Sequence, residues 1–323
     1  MQSISSIRLL PLSNFLSQLK PVFQWRQSVV VAIVMFMTSG SWIAANGQQA
    51  QSTPVTKCGV VLSAPGLYTL TQPLKSGTPT QDCLQVSSPG VILLLHDYTI
   101  TGVSSKVGTA AGIRILSTAS GVRIQGTSNS RIQNFGVGVV VQGSGVSLID
   151  LNVTDNVAQG ILLSNTRDAL LYSINSIGNG AAGLELAQST GIFVSGELGA
   201  LQQNGTYGLW VHSSSNNQFL DVNAIQNNQG GIYVGEPSNG KESQPDSSLS
   251  AAAPSQHNAF LSGDSALNIG DGVRIGAGDT LNVVVSMTGF ENTGTDAVDE
   301  NGNCSSNTWS NNTLSTKNPS CIE

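Results

Sequence analysis

The sequence predicts an all-β protein, a right-handed parallel β-helix with coils of roughly 22–25 residues. The first observation is a pattern of Asn, three residues, Gly and then alternating apolar residues. It begins at Asn134, Asn156, Asn179, Asn204, Asn227 and Asn268. Successive asparagines are 22, 23, 25, 23 and 41 residues apart, so the last interval holds one coil and an insertion. A repeat of this length is typical of solenoids, in which each unit packs only on its neighbours.

The second observation is the order of apolar residues within each unit. They stand one and three positions after the glycine, as Ile161 and Leu163 do, which places both on one face of a strand. A second apolar segment follows about ten residues later, and this leaves no room for a helix. Equivalent strands then pair with their counterparts one coil away, about 4.8 Å apart. A left-handed β-helix is excluded, because its hexapeptide units would repeat at about 18 residues.

We predict structural roles for the repeated Asn and Gly. Asparagine tolerates the left-handed backbone region better than most residues, so it can turn the chain between sheets. Stacked Asn amides can also donate and accept hydrogen bonds along the coil axis. The glycine four residues later lets the chain enter the next strand without steric cost.

The chain divides into five predicted segments. Residues 1–47 hold three basic residues, no acidic residue and the apolar run Val29–Met37, which predicts a cleaved signal peptide. The alternative is an uncleaved anchor, but the run is far shorter than the ~20 residues that span a bilayer. The remaining segments are a flexible leader (48–57), an N-terminal cap with the first coils (58–111), regular coils (112–295) with an insertion loop at 236–256, and a C-terminal cap (296–323).

Charge and cysteine content limit the compartment and the partners. The net charge is −6, and loss of three positive charges with the signal leaves −9. Such a surface repels nucleic acid and anionic lipid, so we expect no nucleic-acid partner and no stable membrane insertion after signal cleavage. Secretion, the periplasm and the cell surface all fit an exported chain.

The four cysteines suggest disulfides, because their number is even and the chain is predicted to be exported. Four cysteines allow three pairings. The two local ones, Cys58–Cys83 and Cys304–Cys321, would pin one end of the coil array each. No CxxC pair and no cluster of Cys and His occurs in the sequence, so we predict neither a metal site nor a cofactor.

The N-terminal segments resemble a known family. A first cysteine at 58, the PG-x-Y turn at 65–68, a second cysteine at 83 and the LxxxxTIxG segment at 94–102 are similar to the first coils of secreted right-handed β-helix proteins. The repeats resemble those of the pectin-lyase-like superfamily, in a branch without an assigned function. The resemblance covers nearly all of the chain after the signal. It implies the fold but no single activity, since the superfamily includes lyases, hydrolases, epimerases and adhesins.

The repeat also aligns the outward-facing positions, and one cluster emerges from this alignment. Glu185, Trp210, His212 and Tyr233 are predicted on one face within two coil spacings. Trp210 and Tyr233 are the expected sugar platform, because aromatic faces offer apolar area beside polar groups. Glu185 and His212 are the candidates for a catalytic acid or base. A second polar row, which includes Asp150 and Asn152, is predicted to be a solvated face.

The catalytic patterns that the resemblance implies are absent. The sequence lacks the Asn-Thr-Asp, Asp-Asp, Gly-His-Gly and Arg-Ile-Lys segments of galacturonan hydrolases, and 168–240 holds no Lys or Arg to neutralise a uronate. Copper delivery, another role of exported β-helix proteins, would need Met and His, but only Met287 and three histidines follow the signal. We therefore predict a non-catalytic carbohydrate-binding or surface-structural module with polysaccharide as its partner. The alternative is a polysaccharide-active lyase, hydrolase or epimerase that uses the Glu185–Tyr233 face.

Overall fold

The computed structural model describes residues 51–103, 109–196, 199–236, 253–302 and 305–323. The predicted signal peptide, most of the predicted insertion and Cys304 therefore lie outside the described residues. Ser52–Glu323 forms one unit. Its described residues are strands and turns, without a helix. Accordingly, no helix in the described ranges is long and apolar enough to cross a bilayer.

The strands are short, and most hold three to five residues. In chain order they are β1 (Thr53–Val55), β2 (Val60–Leu62), β3 (Gly66–Leu70), β4 (Leu74–Lys75), β5 (Leu84–Val86), β6 (Val91–Leu94), β7 (Thr99–Thr101), β8 (Ala111–Ile115), β9 (Arg123–Gln125), β10 (Arg131–Gln133), β11 (Val137–Val141), β12 (Ser147–Thr154), β13 (Ile161–Ser164) and β14 (Leu170–Ile177). They continue as β15 (Leu184–Ala187), β16 (Phe193–Ser195), β17 (Ala200–Gln202), β18 (Tyr207–His212), β19 (Gln218–Leu220), β20 (Asn223–Ile225), β21 (Gly230–Val234), β22 (Ala259–Ala266), β23 (Asp271–Ile275), β24 (Val283–Phe290), β25 (Ala297–Asp299), β26 (Thr308–Ser310), β27 (Thr313–Leu314) and β28 (Lys317–Asn318).

The described strands form two sheets. Sheet B takes one strand from each coil and contains β2, β5, β8, β11, β13, β15, β18, β21, β23, β25 and β28. Sheet A contains the other 17 strands. Pairing within both sheets is parallel, for example between β15, β18 and β21 of successive coils. The inward residues after each repeated glycine, such as Ile161 and Leu163, are fully buried. The predicted parallel β-helix is confirmed.

The repeated asparagines form a hydrogen-bonded ladder inside one corner. The backbone N and the side-chain Nδ2 of Asn179 both donate to Oδ1 of Asn204, each at 3.1 Å. Asn204 makes the same two bonds to Asn227, each at 3.0 Å. The members of this ladder are Asn156, Asn179, Asn204, Asn227, Asn268 and Asn292. Because each amide satisfies a backbone donor of the previous coil, the ladder fixes the coil spacing.

The predicted left-handed conformation is wrong for five of the six asparagines that begin the sequence repeat. The left-handed residue is the one that precedes the ladder asparagine, such as Gln203 (φ 55°) or Gln226 (φ 57°). The reason is that the asparagine side chain points inward to its ladder partner, so the turn falls on its exposed neighbour. Asn134 is the exception, with a φ of 62°. There Phe135 takes the ladder position, and its backbone N donates to Oδ1 of Asn156 at 3.0 Å.

The repeated glycine has a steric role that differs from the predicted conformational one. A Cβ atom on Gly183 would lie 2.6 Å from Nδ2 of Asn204, and one on Gly208 would lie 2.8 Å from Nδ2 of Asn227. Neither glycine has a positive φ. Each glycine therefore leaves space for the ladder asparagine of the next coil.

A second corner carries two further ladders that the pattern did not predict. Asn217, Asn258, Asn282 and Asn307 form an asparagine ladder with Nδ2–Oδ1 distances of 2.9, 3.0 and 3.2 Å. Beside it, backbone N atoms donate to hydroxyls from Thr166 to Ser189, Ser214 and Ser255. The backbone N of Ser255 then donates to Oδ1 of Asp279, which ends this serine ladder.

A third corner corrects the prediction of a solvated polar face. Asp150 (φ 52°) and Ser173 (φ 56°) are left-handed residues in the middle of β12 and β14, where sheet A bends. Nδ2 of Asn175 donates to Oδ1 of Asn152 at 2.9 Å. The chain therefore turns at Asp150 and Ser173, and Asn152 and Asn175 hydrogen-bond to each other between successive coils.

Both ends extend the coil further than predicted. Thr53–Val55, expected in a flexible leader, forms β1 and pairs with β3, which buries Val55 over the first coil. Cys58 and Cys83 form the predicted N-terminal disulfide. At the other end, β25 to β28 continue both sheets through the segment predicted as a cap. Cys321 is disulfide-bonded, while Cys304 lies outside the described residues.

Candidate functional site

The four residues of the predicted face lie together on sheet B. Glu185 of β15 pairs in register with Trp210 of β18, and Trp210 pairs with Tyr233 of β21. His212 is two residues beyond Trp210, on the same side of β18. Its ring centroid is 4.5 Å from that of Trp210. The side chains that the repeat placed in one row are therefore neighbours in the structure.

Their burial, however, contradicts an open sugar platform. The exposed fractions are 4% for Glu185, 5% for Trp210, 0% for His212 and 4% for Tyr233. The chain beyond β21 turns back over the aromatic rings. Nε1 of Trp210 donates to the carbonyl oxygen of Gly235 at 2.9 Å, and the Tyr233 hydroxyl donates to that of Glu236. Trp210 therefore has no free ring face to offer a sugar.

His212 lies between two carboxylates. Its Nε2 is 3.0 Å from Oε1 of Glu185, and its Nδ1 is 3.6 Å from Oε1 of Glu236. Gln159 donates from Nε2 to the other oxygen of Glu185 at 2.8 Å. Burial alone would lower the pKa of His212, but the hydrogen bond to Glu185 and the contact with Glu236 outweigh it. They raise the pKa of His212 to about 9, so the imidazole is a cation at neutral pH.

Glu236 fastens the chain that leaves sheet B. The interaction with His212 holds the pKa of Glu236 below its ordinary value despite partial burial, and the hydroxyl of Ser213 donates to Oε1 of Glu236 at 2.8 Å. The predicted insertion 236–256 is therefore too wide at both ends. Glu236 is partly exposed and contacts His212 of the buried cluster, and Ser255 is a buried member of the serine ladder.

Asp279 is a second buried carboxyl beside this segment. A Cβ atom on Gly235 would lie 2.8 Å from its Oδ2. Burial raises the pKa of Asp279 to about 6, although the hydrogen bond from the backbone of Ser255 opposes this. The charges of Glu236 and Glu300 act in the same direction as burial.

An open pocket lies next to the buried cluster. It has a volume of about 90 Å³ and is lined by Tyr207, Gln229, Gly230, Ile232, Tyr233, Asp271 and Arg274. Tyr207 is partly exposed, and its ring centroid is 5.0 Å from that of Tyr233. The repeat pattern did not single out Tyr207, because Tyr207 lies among the three variable residues between the Asn and the Gly. An aromatic residue directly before the repeated glycine was the available signal.

The charge of Arg274 is neutralised within this pocket. Its Nη1 is 2.9 Å from Oδ2 of Asp271, and its Nη2 donates to Oε1 of Glu300. Burial alone would lower the pKa of Arg274, but these two carboxylates raise it above its ordinary value. The pocket thus offers an aromatic edge and polar atoms of both signs, without an excess of positive charge.

Comparison with solved structures supports the fold. The chain is similar to the Dettilon tailspike protein gp208, with a TM-score of 0.64 and 13% identity over 83% of this chain and 60% of the tailspike. It is also similar to the Azotobacter vinelandii mannuronan C-5 epimerase AlgE4 A-module. That match has a TM-score of 0.56 and 12% identity over 77% of this chain and 71% of the module.

The tailspike protein 2 enzymatically active domain of bacteriophage CBA120 gives a TM-score of 0.53 at 14% identity, over 83% of this chain and 42% of that protein. The chain spans less than two thirds of either tailspike, and these identities show a shared fold. No curated protein matches the sequence. The sequence model of the periplasmic copper-binding protein (NosD) family matches residues 79–242, half of the chain, and the protein therefore belongs to the NosD family.

Proposed function

We propose that this protein is a periplasmic or extracellular β-helix that binds a carbohydrate without cleaving it. The family is described as periplasmic. The predicted signal peptide and the Cys58–Cys83 disulfide support a location outside the cytoplasm. The proposed ligand site is the open pocket beside the buried aromatic cluster.

The observation that carries this proposal is the position of Tyr207. Its partly exposed ring packs on Tyr233 at the edge of the pocket, so it can present apolar area to a sugar ring. Gln229, Asp271 and Arg274 supply hydrogen-bond donors and acceptors around it. Because Arg274 is already paired with two carboxylates, the site suits a neutral glycan better than a uronate chain.

The copper named in the family description does not fit the residues of this chain. Copper sites use imidazole and sulfur ligands. The sequence has three histidines and four methionines, and three of the methionines precede residue 38. His212 is held between carboxylates, Met287 is buried, and Cys58, Cys83 and Cys321 are in disulfides. Among the described residues, no group of three or more His, Cys, Asp or Glu side chains is placed to hold a metal ion.

An enzyme that uses Glu185 and His212 is the second candidate. The observation in its favour is the 3.0 Å contact between an acid and an imidazole on one sheet face. Against it, both side chains are buried and already bonded to each other, so neither reaches a substrate in the pocket. A non-catalytic role agrees better with this geometry.

Binding can be tested by affinity electrophoresis through neutral and acidic polysaccharides. We expect retardation by a neutral polysaccharide, and at least about fivefold weaker binding for Tyr207→Ala, since loss of aromatic stacking costs about 1 kcal/mol or more. Tyr207→Phe is the matched control, because it keeps the ring, and it should retain most of the affinity. Absence of retardation in every polysaccharide would overturn the proposal.

Turnover is tested on the same panel by measuring new reducing ends and unsaturated products. We expect neither from the wild-type protein. Product that disappears in Glu185→Gln or His212→Gln would establish the enzyme instead. Product that persists in both variants would also contradict a purely binding role.

A further inference from the structure

The open pocket on sheet B exists because one row of positions lacks a side chain in its middle. Tyr207, Gly230 and Asp271 stand directly before the repeated glycines of three successive coils, and they pair in register. Gly230 is buried between the other two and lines the pocket as its floor. A Cβ atom on Gly230 would lie 3.0 Å from the backbone oxygen of Asp271 and 3.2 Å from Cδ1 of Tyr207. The pocket is therefore the space of one missing side chain between two present ones.

Side chains close this pocket on three sides. Along the solenoid axis, Tyr207 stands on one side and Asp271 on the other, two coil spacings or about 10 Å apart. Further along the strands, Tyr233 and Arg274 pair in adjacent coils and form the third side. The fourth side lies toward the corner of the coil, where Gln229 is exposed.

The polar side of the pocket is fixed by hydrogen bonds. Oδ1 of Asp271 accepts from the backbone N of Thr295 at 2.9 Å, and Oδ2 accepts from Nη1 of Arg274 at 2.9 Å. Nη2 of Arg274 donates to Glu300. A carboxylate can accept about four hydrogen bonds, and a guanidinium has more N–H donors than these two bonds use. Asp271 and Arg274 therefore keep capacity for the hydroxyls of a sugar while their positions are held.

The size and the walls of the pocket limit which part of a glycan can enter it. Its volume of about 90 Å³ is far below the ~300–1,000 Å³ of sites that enclose a drug-sized molecule, so it takes part of one sugar ring. A chain lying along the solenoid axis would meet Tyr207 on one side and Asp271 on the other. A chain lying across the strands would meet Tyr233. A residue at the end of a chain needs one exit, and the corner side supplies it.

We propose that this pocket binds the terminal residue of a neutral glycan end-on. The inference rests on the proposed carbohydrate-binding function and adds which part of the glycan is recognised. The apolar face of the terminal ring packs on Tyr207, its hydroxyls bond to Asp271 and Arg274, and the rest of the glycan leaves on the side of Gln229. The number of chain ends, and not the mass of sugar, then determines how much protein is bound.

Titrations with chains of different length test the end-on mode. The probes are the neutral polysaccharides of the binding panel, among them dextran, mannan and galactan, each intact and after partial acid hydrolysis. Isothermal titration calorimetry measures the mass of sugar at half-saturation. Hydrolysis that shortens the chains about tenfold supplies about tenfold more ends, so half-saturation should need about tenfold less sugar by mass. A site for internal residues would need no less sugar after hydrolysis than before it.

Gly230→Ala tests whether the chain end enters this pocket. The added methyl group occupies the floor against Tyr207, so binding of the hydrolysed probes should weaken at least about fivefold. Gly77→Ala is the matched control, because nothing lies within 4 Å of its Cβ position, and it should leave binding unchanged. Circular dichroism verifies that both variants are folded.

Two kinds of failure are distinguishable. Half-saturation at the same mass of intact and hydrolysed sugar, or binding that Gly230→Ala leaves unaffected, would overturn the end-on mode and leave carbohydrate binding standing. Absence of binding to every probe, intact or hydrolysed, would overturn the proposed function and the end-on mode together.

Discussion

Gly183 and Asn204 lie in adjacent coils, and the side-chain amide of Asn204 occupies the space that a side chain at position 183 would need. A Cβ atom on Gly183 would be 2.6 Å from Nδ2 of Asn204, and no side chain can be added there without moving the amide. The same relation joins Gly208 to Asn227. The Asn-x-x-x-Gly repeat is therefore a contact between coils, since the glycine of one coil serves the asparagine of the next.

Gly183→Ala should destabilise the protein by about 1–3 kcal/mol, the usual cost of overpacking. The added methyl group forces Asn204 away from its partners in both neighbouring coils. Denaturant unfolding measures the change. Gly77→Ala is the matched control, because nothing lies within 4 Å of its Cβ position, and it should be nearly neutral. Equal effects at the two sites would contradict the steric role.

Asn204→Ala should cost about 2–4 kcal/mol, because it leaves buried donors without acceptors and opens a cavity. The backbone N and Nδ2 of Asn179 both lose their acceptor, Oδ1 of Asn204. The free energy of unfolding is measured beside that of Asn228→Ala. Asn228 is exposed one coil further on, so its loss should change stability by less than about 0.5 kcal/mol.

His212 should make stability depend on pH. Its pKa in the folded protein is about 9, above the ordinary 6.5. The stabilisation is therefore fully present below about pH 6.5 and is lost as the pH rises through about 9. His212→Gln should be less stable than wild type near neutral pH and approach it in alkaline solution. Denaturant unfolding at several pH values checks this, and a constant difference would contradict it.

Asp279→Asn should stabilise the protein above about pH 6. The pKa of Asp279 is raised in the folded state, so the folded protein binds a proton more tightly than the unfolded one. Wild-type stability falls as the pH rises from about 3.8 to about 6 and stays lower above that. The amide keeps an acceptor for Ser255 but carries no charge. Melting temperatures near pH 4 and pH 7.5 should show a gain only at the higher pH.

The sequence predicted the register of the strands in sheet B, because the repeated glycines mark equivalent positions in successive coils. Glu185, Trp210 and Tyr233 occupy one row, as the glycine register implies. Burial of that row was not predictable in the same way. It depends on the turn at Gly235 and on Glu236. The backbone carbonyl of Glu236 accepts a hydrogen bond from Tyr233, and its carboxylate accepts one from Ser213 and lies 3.6 Å from His212. A repeat pattern contains only the features common to all coils. The turn at Gly235 follows one strand, β21, so the pattern does not predict it.

The corner residues show a related limit. The asparagine pattern predicted both a stacked ladder and a left-handed backbone conformation at the same residue. In the structure the asparagine forms the ladder, and a different residue is left-handed. The exposed residue before it, such as Gln203, takes the left-handed conformation. The second ladder, through Asn217 and Asn258, has no glycine four residues later and so carried no pattern to find.

All three ladders pass the long 41-residue interval without a break. Asn227 bonds to Asn268, Asn217 to Asn258 and the backbone of Ser214 to Ser255, at distances seen elsewhere in the array. The extra residues follow Glu236, and the chain is back in the coil by Ser255. The hydrogen bonds between the coils on either side are therefore the same as elsewhere in the array. The bonds of all three ladders therefore do not depend on how many residues lie between Glu236 and Ser255, and a foreign domain inserted between them for display should leave every coil unchanged.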